Sequence, residues 1–204
     1  MFECRFTLNH QKGAKIMITK PTNVLTNEES DCMLIGITYP RERLMFLLML
    51  DAGLRVGELV QLKLSDLLIN EHPVYSLTVR PEIAKNHISR EIPLSARVQT
   101  AINNVKNSSW RQLYYKQGDF VFSTGPIATH ISTRQVERII KNIAERTIQR
   151  PITPHTLRHT FATRLMRKTS TRVVQQLLGH KNLSSTQIYT HPNSEDLRKA
   201  IDSI

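Results

Sequence analysis

The sequence predicts an α+β chain, mainly α-helical with a small three-stranded antiparallel sheet. Three observations carry that prediction. Two capping boxes, Thr26 with Glu29 and Ser132 with Gln135, each open a stretch patterned as a helix. Segment 41–52 holds Leu44, Met45, Phe46, Leu47, Leu48, Met49 and Leu50, apolar nearly all round, as a buried core helix is. Between the two boxes lie short runs with the period of strands, best seen where Tyr75, Leu77 and Val79 alternate with Ser76 and Thr78.

Taken in order, residues 1–23 are mixed and basic and read as an N-terminal arm. The Thr26 box opens a helix to about Ile37, and Pro40 punctuates it. Segment 41–52 is too short to cross a bilayer, and Gly53 stops it. Arg55 follows at the mouth of the core, where a charge is costly unless it is paired or meets an anion. Glu58, one helical turn on, is its evident internal partner, and the sequence leaves both roles open for Arg55. Segments 67–70, 75–80 and 90–94 read as the three strands. The turn between the last two carries Lys85, by itself an ordinary solvated lysine. Helices follow over 95–105 and 110–116. The Ser132 box opens an amphipathic helix, with Val136, Ile139, Ile140 and Ile143 on one face and Arg134, Arg138, Lys141 and Arg146 on the other. That basic face is solvated or faces a polyanion.

Thr153-Pro154 starts the next helix, about 154–166, with threonine as N-cap and proline in the first turn. His155 and Arg158 lie one turn apart, so they project from one face, while Leu157, Phe161, Ala162 and Leu165 anchor the helix. A further helix over 172–178 ends at Gly179, a residue suited to the left-handed position. His180 then sits at a chain reversal, and Ser184, Ser185 and Thr186 cap a short helix carrying Tyr189. A phenol that can attack, imidazoles that can move protons and a guanidinium that can hold an anion thus fall within one stretch. A last helix, about 194–204, carries Leu197, Ala200, Ile201 and Ile204 as an apolar stripe, open to packing within its own chain or on a neighbour.

Composition narrows the partner. The chain has 204 residues, with 28 Lys plus Arg against 17 Asp plus Glu, a formal charge of +11. Such an excess on an ordinary apolar content points to a polyanion, most often nucleic acid. Cys4 and Cys32 fit neither a disulfide framework nor a zinc pattern, and the eight histidines show no metal-ligand spacing. No apolar run reaches the ~18 residues of a membrane span, and the N-terminus lacks a signal-peptide core. The expected setting is the cytoplasm, with no membrane partner.

Five segments in order carry a family resemblance: Ala52-Gly53-Leu54-Arg55-Val56-Gly57-Glu58-Leu59; Ala84-Lys85 leading to Arg90-Glu91-Ile92-Pro93-Leu94; Pro154-His155-Thr156-Leu157-Arg158-His159-Thr160-Phe161-Ala162-Thr163; Leu177-Leu178-Gly179-His180; and Thr186-Gln187-Ile188-Tyr189-Thr190-His191. With them the chain resembles the catalytic domain of the tyrosine recombinases, the phage-integrase and Xer type of site-specific recombinase, over roughly 26–191. The resemblance implies catalytic roles for Arg55, Lys85, His155, Arg158, His180 and Tyr189, with Glu58 and His159 supporting them. It implies double-stranded DNA as partner, a homo-oligomer that is a tetramer on DNA, and neither cofactor nor metal. It implies a catalytic domain over 24–204, the 194–204 helix packing on a neighbouring protomer.

Two departures stand beside it. The family's separate helical DNA-clamping domain has no counterpart in 1–23, so the expected organisation lacks a core-binding domain. Lys168-Thr169-Ser170 also lacks the glycine that often precedes the Leu-Gly-His helix. The expected activity is DNA strand cleavage and rejoining by a recombinase or integrase. The alternatives are a type IB topoisomerase-like nicking-closing enzyme and a non-catalytic DNA-binding regulator on the same fold. A metal-dependent nuclease predicts clustered carboxylates, which the sequence does not show.

Overall fold

The structure is a computed structural model that describes residues 24–85, 87–110, 116–124 and 129–179. Helix α1 (Asn27–Gly36) starts as expected: Thr26 Oγ1 accepts from the Glu29 amide, and the Glu29 carboxylate accepts in turn from the Thr26 amide. Helix α2 (Pro40–Leu50) is the central rod, with Leu44 through Leu50 all buried. Burying a side chain of that kind contributes about 1.5–3 kcal/mol, so this helix anchors the core despite its weak amphipathic pattern. Its chain turns at Gly53, whose φ is 63°. Two short helices follow, α3 (Val56–Val60) and α4 (Leu64–Leu67).

The β-structure differs from expectation in one respect. The three predicted strands do not form one sheet; among the described residues there are two antiparallel pairs. Strand β1 (Leu68–Ile69) pairs with β2 (His72–Pro73), and β3 (Ser76–Val79) pairs with β4 (Arg90–Pro93). The reason is local. Asn70 and Glu71 both take positive φ, 49° and 65°, which closes a tight two-residue hairpin and gives Leu68–Ile69 a neighbour of its own. The alternation holds for Leu77 and Val79, which are buried, but Tyr75 lies just before β3 and is exposed.

Helix α5 (Ala96–Val105) is capped by Ser95 and runs into a π-helical turn, Lys106–Trp110; most of the helix expected over 110–116 lies outside the described residues. Helix α6 (Thr133–Thr147) opens on the Ser132–Gln135 box and buries Val136, Ile140, Ile143 and Ala144. Helices α7 (Pro154–Met166) and α8 (Thr171–Leu178) complete the described chain. Helix α2 packs against α3, α5 and α7, α1 against α6, and α8 against both α7 and β4. The arm over 1–23, the Tyr189 segment and the 194–204 helix lie outside the described residues. Among those described, no helix is long and apolar enough to cross a membrane.

Candidate active site

Helix α7 begins where threonine and proline place it. Thr153 Oγ1 accepts from the Thr156 amide, and Pro154 occupies the first turn. The segment before α1 holds its far side. The Leu25 amide donates to Thr160 Oγ1 at 2.9 Å, and Arg164 donates to the Thr26 carbonyl and to Ser30 Oγ. Arg150, just upstream, reaches the Val24 carbonyl and pairs with Glu29 at 2.7 Å.

The shared face expected for His155 and Arg158 splits in the fold. His155 is exposed, while Arg158 is buried at 5% exposure. Arg158 donates through Nη1 to the Gly53 carbonyl and through Nη2 to the Leu178 carbonyl at 2.8 Å. It therefore ties the end of α8 to the turn after α2. Gly53 is needed there: a Cβ would fall 2.3 Å from the Phe161 ring.

Arg55 and Glu58 do form the ion pair, with Nη1 to Oε1 at 3.0 Å, and the Arg55 amide also donates to Oε2 at 2.9 Å. Glu58 is 1% exposed, so a single half-buried arginine would leave its charge poorly compensated. The remaining compensation comes from Arg90, the first residue of β4. Its Nη1 and Nη2 grip Oε1 and Oε2 at 2.9 and 2.6 Å, and its Nε donates to the Leu177 carbonyl at 2.9 Å. Burial pushes the Glu58 carboxyl up; the bonds and charge of Arg90, the Arg55 amide and the charge of Arg158 outweigh it and hold the carboxyl below its ordinary range.

Sequence reasoning misses Arg90 as a site residue, although a signal exists. Strand periodicity puts it on the same face as Ile92 and Leu94, towards the core, and an arginine there requires a carboxylate. The two buried arginines donate to consecutive carbonyls, Leu177 and Leu178, at the C-terminus of α8, where the helix dipole favours positive charge. The chain then turns at Gly179 with φ 63°, and leads into His180.

His159 stacks on His155, ring centroids 6.3 Å apart and planes 18° apart. Burial, and then the neighbouring His155, lower the His159 pKa. Lys85 is exposed on the β3–β4 connection, and no hydrogen bond or ion pair ties it to Arg55, Glu58, Arg90 or Arg158. His180 and Tyr189 lie outside the described residues. The structure thus gathers Arg55, Glu58 and Arg158 around the end of α8, with Arg90 among them, and pairs His155 with His159 on α7. Among the described residues no three His, Cys, Asp or Glu side chains group as metal ligands.

Beside His155 lies a groove of about 720 Å³ between α6 and the start of α7. Arg134, Arg138 and Lys141 line it, together with Val56 and Pro154. The exposed basic face of α6 is therefore continuous with the α7 end that carries His155, and Val56 brings in the residue next to Arg55. Such a surface can hold a polyanion along its length while a buried arginine cluster holds one anionic group in place.

Comparisons with known proteins give the family and the fold. The profile of the Phage integrase family matches residues 24–196. Tyrosine recombinase XerD of Lacticaseibacillus casei is 39% identical over 163 residues, 77% of this chain and 52% of that protein. The crystal structure of XerA recombinase superposes with a TM-score of 0.73 at 29% identity, covering 88% of this chain and 64% of that one. XerH site-specific recombinase, in a post-cleavage complex bound to palindromic difH substrate, superposes with a TM-score of 0.71 at 25% identity, covering 88% of this chain and 52% of that one. The chain spans between about half and two thirds of the length of such curated relatives, from 50% to 64%.

Proposed function

This chain belongs to the phage integrase family, and we propose that it is a site-specific DNA recombinase that cleaves and rejoins strands through a 3′-phosphotyrosyl intermediate. The observation that carries the reading is the charge cluster at the end of α8. Arg55 and Arg90 meet at Glu58, and Arg90 and Arg158 hold the last carbonyls of α8, the helix that precedes His180 and Tyr189 in the sequence.

A phosphodiester repels nucleophiles because it is an anion. Arg55 and Arg158 hold its non-bridging oxygens with permanently charged, planar donors and stabilise the added charge of the pentacoordinate transition state. The Tyr189 hydroxyl attacks phosphorus and gives its proton to His155. A phenol with a reference pKa near 10 needs such an acceptor or strong electrostatic help. The P–O5′ bond breaks, and Lys85 protonates the departing 5′-oxygen. His180 donates a hydrogen bond to the phosphate, Glu58 orients Arg55, and His159 supports His155 by stacking on it. The bond energy is kept in the protein–DNA ester, so a 5′-hydroxyl can reverse the step. When that hydroxyl comes from a partner strand, the result is recombination.

The substrate is double-stranded DNA, held along the α6–α7 groove by phosphate contacts. The working assembly is a homo-oligomer, a tetramer on DNA, acting in the cytoplasm without cofactor or metal. Supercoiled plasmid incubated in EDTA tests the chemistry, with denaturing gels for DNA-linked protein and Tyr189→Phe as the control. Relaxation with an adduct that Tyr189→Phe abolishes supports the reading. Absence of both, on plasmid and on a nicked duplex bearing the cognate junction, overturns it in favour of a binding module.

A further inference from the structure

Glu58 is the point where two arginines meet, and they face different parts of the site. Arg55 approaches from the N-terminus of α3 and stays partly exposed, 23% at its side chain. Arg90 approaches from β4 and is sealed off, 4% at its side chain. One guanidinium cannot both neutralise Glu58 from the core side and reach a phosphate. The division of labour follows: Arg90 supplies the buried fork, which leaves Arg55 partly exposed and tied to the carboxylate between them through Nη1 and its backbone amide.

Arg90 also has a third tie. Its Nε holds the Leu177 carbonyl at 2.9 Å, and its Cδ lies 3.0 Å from the position a Cβ on Gly179 would occupy. The side chain therefore touches the last turn of α8 and the left-handed residue that ends it. Among the apolar residues of α8, Val174 and Leu178 pack with Phe161 and Ala162 of α7, and Leu177 packs against the main core. Arg90 is the charged link between β4 and α8.

We infer that Arg90 is a positioning residue, coupling the orientation of Arg55, through Glu58, to the placement of Gly179 at the end of α8. The inference rests on the recombinase reading for its catalytic consequence, and on geometry for the coupling itself. Lysine cannot replace it: an ammonium is a point charge, whereas the guanidinium holds both carboxylate oxygens and a carbonyl in one plane. Loss of that plane leaves charge in the core but frees Arg55 to rotate, and small misplacements of reacting groups cost up to about 100-fold in rate.

The test uses the full chain with Arg90→Lys and Arg90→Gln, their folding checked by thermal unfolding. Three quantities are measured: DNA affinity across a salt series, single-turnover adduct formation on a nicked duplex at saturating protein, and the Arg55 Nε–H resonance, assigned with Arg55→Lys. We expect affinity and its salt slope within about 2-fold of wild type, because Arg90 commits its guanidinium to Glu58 and the Leu177 carbonyl and so neutralises no phosphate. Adduct formation falls about 100-fold in both variants, and the Arg55 resonance shifts and exchanges faster with water. Wild-type adduct rates with an unmoved resonance would overturn the inference, as would a loss that merely tracks the unfolded fraction. If the wild-type chain forms no Tyr189-dependent adduct, the recombinase reading fails by itself. The resonance comparison then still decides whether Arg90 positions Arg55, and it can be read on Arg90→Lys alone should Arg90→Gln not fold.

Discussion

Arg158 donates to the carbonyl of Gly53, so the buried arginine of α7 is bound to the turn that ends the central helix. The two residues are 105 positions apart in sequence, and the bond closes one side of the candidate active site. The same guanidinium reaches Leu178 on α8, which makes the Gly53 turn, α7 and α8 one unit.

Gly53→Ala is therefore expected to disturb more than a turn. A left-handed φ costs a β-carbon about 1–2 kcal/mol, and here the methyl would also fall 2.3 Å from Phe161. Overpacking of that kind costs about 1–3 kcal/mol more. Urea unfolding should show a combined destabilisation of about 2–5 kcal/mol. A change below about 0.5 kcal/mol, the scatter of surface substitutions, would contradict the packing at this turn.

Glu58→Gln should be costly for a different reason. It removes the one carboxylate between Arg55 and Arg90 and leaves a buried guanidinium uncompensated. Breaking such a pair costs about 3–5 kcal/mol. The acid limb carries the sign. The folded carboxyl titrates below its ordinary 4.5, so its contribution is complete above that pH and disappears as pH falls through the folded value. Wild type should lose stability more steeply than Glu58→Gln below pH 4.5, measured by denaturant midpoints at descending pH.

The His155–His159 stack predicts a second pH effect. Burial and the His155 charge hold the His159 pKa below 6.5, so the fold disfavours its protonated form. Stability is then complete above 6.5 and falls as pH drops through that value towards the folded pKa. His155→Gln should raise the His159 midpoint in an NMR titration, yet leave it below 6.5 because burial remains the larger cause. An unchanged midpoint would contradict electrostatic coupling between the rings.

The α6 groove makes the remaining prediction. Arg134→Gln, Arg138→Gln and Lys141→Gln should each weaken DNA binding without destabilising the chain, because these side chains are exposed. Removing one phosphate-neutralising charge reduces the log–log salt slope by about 0.9. An Arg146→Gln control, also exposed on α6 but outside the groove, should leave the slope unchanged.

Much of this protein is written locally. Thr26 with Glu29, Ser132 with Gln135, and Thr153-Pro154 start their helices wherever the chain goes, because a capping bond needs only residues one turn apart. Gly179 ends α8 for the same local reason, and the apolar run in α2 could only be buried. The Arg55–Glu58 pair is legible too, being one turn long. Tertiary structure decided the rest. It separated His155 from Arg158 although they share a helix face, because the carbonyls of Gly53 and Leu178 draw the guanidinium inward while nothing buries the imidazole. It split the strands into two pairs through the Asn70-Glu71 turn. And it brought Arg90 to Glu58 across 32 residues, a partnership no helical spacing encodes. A buried charge must be neutralised by whatever the fold carries to it, and only the fold determines which residue that is.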